Sequence, residues 1–230
     1  MKKSIGLLSN NQLKIIAIIA MTCDHIGKQI LPDMAFLQII GRIAFPIFAY
    51  MIAEGCFYTR NRKKHLLMLI SVAIGCQLVY FVFMRSLYQC ILVTFSLSVM
   101  LIYIVDNAMK KRTFKSFAVV FIAFAVVYLL TEILPNVLIY TDFAIDYGLV
   151  GVLLPVFVYT AEKKRDKLVV SALMLIGLAM IIGGIQWYSL LALPLLALYN
   201  GEKGKARIKN FFYIYYPLHL AVIYWISTVV

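Results

Sequence analysis

Charge is scarce in this sequence, and acidic charge most of all: 14% of the 230 residues are charged, and only 10 are Asp or Glu. A soluble domain of this length carries about a quarter of its residues as charged side chains. Apolar residues fill the deficit, at 63% of the chain and a mean hydropathy of +0.92. That balance excludes a soluble globular domain and points to an integral membrane protein. Cysteine is sparse too. Cys23, Cys56, Cys76 and Cys90 all fall in apolar runs, and none has C-x-x-C spacing. Neither a zinc site nor a disulfide framework is signalled, and each reads as a small buried hydrophobe. No repeat, low-complexity tract or soluble appendage is visible. No small-residue cleavage site follows the first apolar run, which is therefore read as a retained span. One polytopic domain over 1–230 is expected.

Basic charge is present, with a net +12 at pH 7. In a soluble protein that excess would suggest nucleic acid, but its distribution argues against such a partner. Eighteen of the 22 Lys and Arg lie in short polar segments at 2–3, 60–64, 110–115, 163–167 and 203–209. Clusters in alternate loops are what the positive-inside rule produces. An anionic substrate could use them as well.

A span needs about 20 mostly apolar residues. On that basis the sequence predicts an all-α, polytopic membrane helix bundle of about nine transmembrane helices. They fall at 12–31, 35–58, 66–84, 88–105, 114–134 and 147–161, then two short helices from 168–199 divided at Gly183-Gly184, then 210 to the end. Pro46 should kink the second, because it removes a backbone donor and crowds the preceding turn. With nine crossings every basic cluster shares the side of the N-terminus, which is therefore cytoplasmic. The outer connections carry only Lys28 and Arg85 as cations.

Ionisable side chains at membrane depth are costly and usually face a protein interior or a wet cavity. The first helix holds Lys14 near its start and Asp24-His25 towards its end. Eleven residues separate Lys14 from His25, which puts them within about 20° of one face and roughly 16 Å apart along the axis. Asp24 and His25 are sequence neighbours and do not face each other, so an acid orienting His25 would come from another helix. The second helix returns with Arg42 at the depth of Asp24 and Glu54 at the depth of Lys14, so two cross-helix pairs are expected. His219 in the last helix is a second candidate for the cavity, with Tyr216, Gln77 and Asp146 as further polar candidates. No metal is expected.

The blocks Lys-Ile-Ile-Ala-Ile-Ile-Ala-Met-Thr-Cys-Asp-His-Ile-Gly from Lys14, Gly-Arg-Ile-Ala-Phe-Pro-Ile-Phe-Ala-Tyr-Met-Ile-Ala-Glu-Gly from Gly41, Asp146-Tyr-Gly, Tyr199-Asn-Gly and the closing Phe-Phe-Tyr-Ile-Tyr-Tyr-Pro-Leu-His-Leu resemble the TraX family. That family is named for a conjugation protein that acetylates the N-terminus of pilin. The chain is also similar to the wider acyltransferase-3 group in carrying a basic residue, ten intervening residues and a His on its first helix, although Lys14 stands where Arg is commoner. These resemblances imply a membrane acyltransferase that uses acetyl-CoA, with His25 catalytic and Lys14 in the donor site. The CoA phosphates would meet Lys14, Arg60, Arg62 and Lys63 at the cytoplasmic mouth, with Glu54 beside Lys14. Arg42 would hold Asp24 or stabilise an oxyanion. His25 would act as general base or pass through an acetyl-His. The acceptor is left open among pilin, a cell-envelope glycan and a small amine, at a bacterial-type inner membrane. Buried Asp, His, Arg and Glu also build proton relays, so a proton-coupled transporter is the alternative. A non-catalytic membrane assembly protein is the third reading.

Overall fold

The computed structural model describes residues 6–204 and 209–229. In chain order its elements are α1 (Asn10–Gln29), α2 (Ala35–Gly41), α3 (Ala44–Tyr58), α4 (Arg62–Val79), α5 (Ile91–Lys111), α6 (Phe114–Tyr128), α7 (Leu134–Val137), α8 (Gly148–Thr160), α9 (Lys164–Ile182), α10 (Ala192–Ala197) and α11 (Lys209–Ser227). π-helical turns at Tyr80–Met84 and Leu129–Ile133 extend α4 and α6, and a 3-10 segment, Gly184–Leu191, precedes α10. No strand occurs among the described residues. The chain packs as two compact units, Met1–Met51 with Ala161–Val230, and Ile52–Thr160.

In the first unit α1 turns a narrow stripe inward. Leu13, Ala17, Ala20, Asp24 and Gly27 recur at intervals of three and four and are buried, as one face of a helix must be. Lys14 and His25 flank that stripe, half-buried. Small residues let α2 come close. A Cβ on Gly41 would stand 2.3 Å from the Cβ of Asp24, and one on Gly27 2.9 Å from the Cβ of Leu37. Ser9 starts α1 with a capping box, its N–H donating to Gln12 Oε1 at 2.9 Å. Leu8 bonds Leu198 and Asn200 by backbone at 2.9 Å each, which ties the entry of α1 to the end of α10.

The helix expected over 35–58 is interrupted. Pro46 has no N–H to give the carbonyl of Arg42, four residues earlier, and the break lies at Arg42-Ile43, between α2 and α3. The proline therefore acts upstream of its own position, where the helix passes through a turn at Arg42-Ile43. A second correction concerns the short helix expected after Gly183-Gly184. Most of it is 3-10, and only Ala192–Ala197 is α-helical. Both glycines have positive φ, 73° and 53°, which β-carbon-bearing residues avoid.

In the second unit α5 is the buried post, packed by α4, α6 and α8. Ser98 donates to the Val152 carbonyl at 2.8 Å and Thr94 to that of Asp146 at 2.8 Å, which join α5 to α8. Glu132 accepts from the Leu149 N–H at 3.0 Å and so caps α8. Third, the helix expected to end at Leu134 runs through its π turn to Val137.

Four described helical runs are long and apolar enough to cross a membrane: Ala35–Tyr58, Arg62–Met84, Ile91–Lys111 and Phe114–Val137. Gly148–Thr160 and Gly184–Ala197 are apolar but shorter. An all-helical membrane protein follows, while the count of nine crossings stays an expectation.

Two predictions arise from this packing. Gly41→Ala overlaps Asp24 and should cost about 1–3 kcal/mol, read as a lower melting temperature in detergent; an unchanged melt would contradict the close α1–α2 contact. Outside the helices, Asp142 accepts from the Ser86 hydroxyl and, at 2.8 Å, from the Leu87 N–H, and both hold its carboxyl below the usual carboxylate range. The stability it lends is present above its unfolded value and lost as pH falls through the lowered folded one. Asp142→Asn should therefore flatten the acid limb of the melting profile below about pH 4.

Candidate functional site

The first unit gathers Asp24, His25 and Lys28 of α1 into two clusters on neighbouring faces. In the first, His25 Nδ1 lies 2.9 Å from His219 Nε2, the rings stacked with centroids 5.0 Å apart. His219 Nδ1 lies 3.0 Å from the backbone carbonyl of Tyr215, one turn earlier on α11. A carbonyl oxygen only accepts, so His219 Nδ1 carries a proton. In neutral His219 the Nε2 is then a lone pair. His25 must donate from Nδ1, which leaves the lone pair of His25 on Nε2. The tautomers are assigned from these partners. They make His25 Nε2 a base.

Around the pair, Tyr216 presents its ring edge-on to both imidazoles, with centroids 6.5 Å from His25 and 5.2 Å from His219. The Tyr215 ring stacks on His219 at 5.0 Å. Thr22 gives its hydroxyl proton to the Ile18 carbonyl at 2.8 Å, so the 2.8 Å contact with the Tyr215 hydroxyl has tyrosine as donor. Residues 215 and 216 each lie about one turn before 219 on α11, so both rings flank the His219 imidazole. That register packs α11 against the Thr22–His25 face of α1.

The second cluster is the expected pair of Asp24 and Arg42. Asp24 also takes Lys28 Nζ at 2.6 Å. Arg42 reaches the carbonyl of Gln38 with Nε at 3.3 Å and Gln186 Oε1 with Nη1 at 3.4 Å. Asp24, Arg42 and Gln186 are buried. Charges out of water need such pairing, since an uncompensated one is far costlier. Arg42 therefore holds Asp24, the first of its two expected roles. The partner that orients His25 comes from another helix and is an imidazole, His219.

Lys14 stands half-buried on α1, on the flank that bears His25. The remaining sequence candidates belong to the second unit. Glu54 is buried in α3, so its expected partner Lys14 lies in the other unit, and that pairing stays an expectation. Arg62 pairs with Asp106 at 2.5 Å and lies 5.0 Å over the Tyr103 ring, while Arg60 and Lys63 are exposed. Gln77 bonds the Tyr88 carbonyl at 2.8 Å and the Cys90 N–H at 3.4 Å, beside an apolar groove of about 270 Å³ between α4 and α5. Asp146 accepts the Tyr88 hydroxyl at 2.6 Å. Both knit the connections at the ends of α4, α5 and α8. Thr22, Lys28, Tyr215 and Gln186 were missed as partners. The i, i+4 spacing of Asp24 with Lys28 and of Tyr215 with His219 was the available signal.

A sequence model of the family described as "TraX protein" matches residues 9–227. A probable fimbrial assembly protein, FimC of serogroup H1 from Dichelobacter nodosus, is 27% identical across 92% of this chain and 93% of its own length. An uncharacterised protein of Rickettsia prowazekii (strain Madrid E) is 25% identical across 68% of this chain and 57% of that protein. No solved structure matches.

Arg42→Met is expected to destabilise the protein by about 1–3 kcal/mol, by leaving the buried Asp24 carboxylate with Lys28 as its remaining cation. Asp24→Asn in that background should recover part of the loss, measured by thermal unfolding in detergent. A double variant no more stable than Arg42→Met alone would deny the pair this role.

Proposed function

This chain belongs to the TraX family, and from that premise we propose that it is a membrane-embedded acetyltransferase. It moves an acetyl group from acetyl-CoA to an amine or hydroxyl, with the N-terminus of a pilin as the favoured acceptor. The pilin assignment is supported by the Dichelobacter relative, whose name makes it a fimbrial assembly protein. The proposed location is a bacterial plasma membrane. The single observation behind the chemistry is the hydrogen-bonded order from the Tyr215 carbonyl through His219 to His25, which leaves a lone pair on His25 Nε2.

In the proposed reaction His25 Nε2 takes the proton from the acceptor nitrogen or oxygen as that atom attacks the thioester carbonyl. His25 is then an imidazolium, and its Nδ1–H keeps its bond to the His219 lone pair, which stabilises the transient charge. The C–S bond breaks, the new acyl bond remains on the acceptor, and the proton on Nε2 passes to the departing thiolate. His219 is a positioning residue, since it acts through His25. In this reading Lys14, on the same flank of α1, would meet the anionic end of the donor, and Asp24 with Arg42 fixes the helix from which His25 projects.

The test is purified protein in nanodiscs with radiolabelled acetyl-CoA and a pilin-derived N-terminal peptide. His25→Ala should abolish transfer in protein that remains folded, with the lower melting temperature that losing the bond to His219 implies. His219→Gln, whose amide oxygen can still accept from His25, should retain more activity than His219→Ala, which is expected to fall about 10–100-fold, a second-partner loss of the usual size. No binding of acetyl-CoA by the wild type, together with proton flux in liposomes that depends on His25, would replace the acetyltransferase reading with the carrier.

A further inference from the structure

Asp106, near the end of α5, joins two basic segments that lie far apart in sequence. Arg62 Nη2, in the first turn of α4, and Lys110 Nζ, one turn beyond Asp106, both meet its Oδ2, at 2.5 and 2.8 Å. The Arg62 guanidinium also lies 5.0 Å over the Tyr103 ring, and His65 Nδ1 is 2.7 Å from the Tyr103 hydroxyl. Arg62 is thus fixed by a carboxylate and a ring of the same neighbouring helix. Two cations on one carboxylate leave a single net positive charge at this point. Both keep donors to spare, since among the described residues Arg62 commits one nitrogen and Lys110 one of its three hydrogens. Around them Arg60, Lys63, Lys64, Lys111, Arg112 and Lys115 are exposed, and Asp106 is the one acid in the segments 60–64 and 106–115.

The apolar groove of about 270 Å³ runs between the same two helices, in line with this charged group. On α4 its lining residues Leu66, Ile70, Ala73 and Gln77 follow Arg62 at steps of four, four, three and four, which keeps them on one helix face. On α5 the lining residues Ser96 and Met100 lead on, at steps of four and three, to Tyr103, Asp106 and Lys110. Leu66 to Gln77 spans about 16 Å of helix, close to half of a hydrocarbon core about 30 Å thick, the depth of one leaflet. The groove volume spread over that length is a mean section of roughly 17 Å², which admits an extended alkyl chain and is too narrow for a helix about 10 Å across. Its α4 side is open, since Leu67, Ile74 and Leu78 are exposed.

We propose that α4 and α5 bind one anionic phospholipid of the cytoplasmic leaflet, its phosphate at Arg62 and Lys110 and one acyl chain in the groove. The positive-inside rule gives this basic end to the cytoplasm. Both helices lie in runs long and apolar enough to cross a membrane, and the charged group stands at their ends, where headgroups meet hydrocarbon. Asp106 positions the two cations and leaves the one positive charge that a phosphodiester neutralises, while the guanidinium fork suits phosphate oxygens. The exposed cations around them select an anionic headgroup over a zwitterionic one. Acetyl-CoA also offers phosphates, but the amides of its pantetheine arm find no partners along an apolar groove that begins one turn above Arg62. This inference does not rest on the acetyltransferase reading.

The test uses the full chain, delipidated in detergent and titrated separately with dioleoyl phosphatidylglycerol and dioleoyl phosphatidylcholine, with bound lipid counted by native mass spectrometry. The expected result is one phosphatidylglycerol retained per chain in preference to phosphatidylcholine, with a higher melting temperature. Lys110→Gln, at a side chain 66% exposed and so harmless to the fold, should weaken retention about fivefold. Ser96→Leu, which fills the groove, should weaken it as well without removing a charge. Equal retention of the two lipids, or retention unchanged in either variant, would overturn the proposal. So would displacement of phosphatidylglycerol by acetyl-CoA or inorganic phosphate, which would make this a site for soluble phosphates.

Discussion

A carboxylate buried in an apolar bundle has to be neutralised where it stands, and Asp24 meets that demand through Arg42 and Lys28. The requirement reaches well beyond one ion pair. Arg42 can approach only because Gly41 lets α2 lie against α1 at the Cβ of Asp24. It sits between two helices because Pro46, four residues on, leaves the Arg42 carbonyl without its helical donor. Glycine, arginine and proline in Gly41-Arg42-Ile43-Ala44-Phe45-Pro46 thus act as one device. They give close approach, countercharge and a break, in that order along the chain. Gln186 extends the device to the 3-10 segment, so three separate elements converge on a single guanidinium.

The histidine pair is built on the opposite principle. No formal charge is needed to order it, because a backbone carbonyl sets the tautomer of His219 and His219 sets that of His25. A carboxylate in the place of His219 would favour the imidazolium, and a charged imidazole cannot take a proton. A neutral imidazole partner orients the ring just as firmly while keeping it a base, in a part of the protein where every extra charge is costly. The tyrosines serve the same end. Tyr215 supplies the carbonyl from its backbone, a ring stacked on His219, and a hydroxyl tied to Thr22 on α1.

Much of this was legible in the residues. Apolar runs and loop cations gave the helical membrane class, Gly183-Gly184 gave the break after α9, and matching depths on consecutive helices gave Asp24 with Arg42. What was not legible depends on rotation and on local backbone state. Periodicity put Lys14 and His25 on one face, but not that the innermost stripe runs through Asp24 instead. It could not show α11 meeting α1 in the register that brings His219 to His25, because sequence fixes the faces of a helix and not its angle to a distant neighbour. The π turns and the 3-10 segment were equally hidden, since apolar runs read the same whether their carbonyls bond three, four or five residues on. Gln77 and Asp146 were flagged for their polarity, and that polarity goes into holding loop ends together.

Adjacent positions on a helix differ by about 100°, and that angle is why Asp24 and His25 divide their tasks. The carboxylate faces the packed interior, where it is fully committed to cations and cannot exchange a proton without undoing the α1–α2 contact. The imidazole beside it faces α11 across a neutral hydrogen bond, and gaining a proton there breaks no ion pair. The ion pair and the neutral imidazole pair are thus carried by the same turn of the same helix.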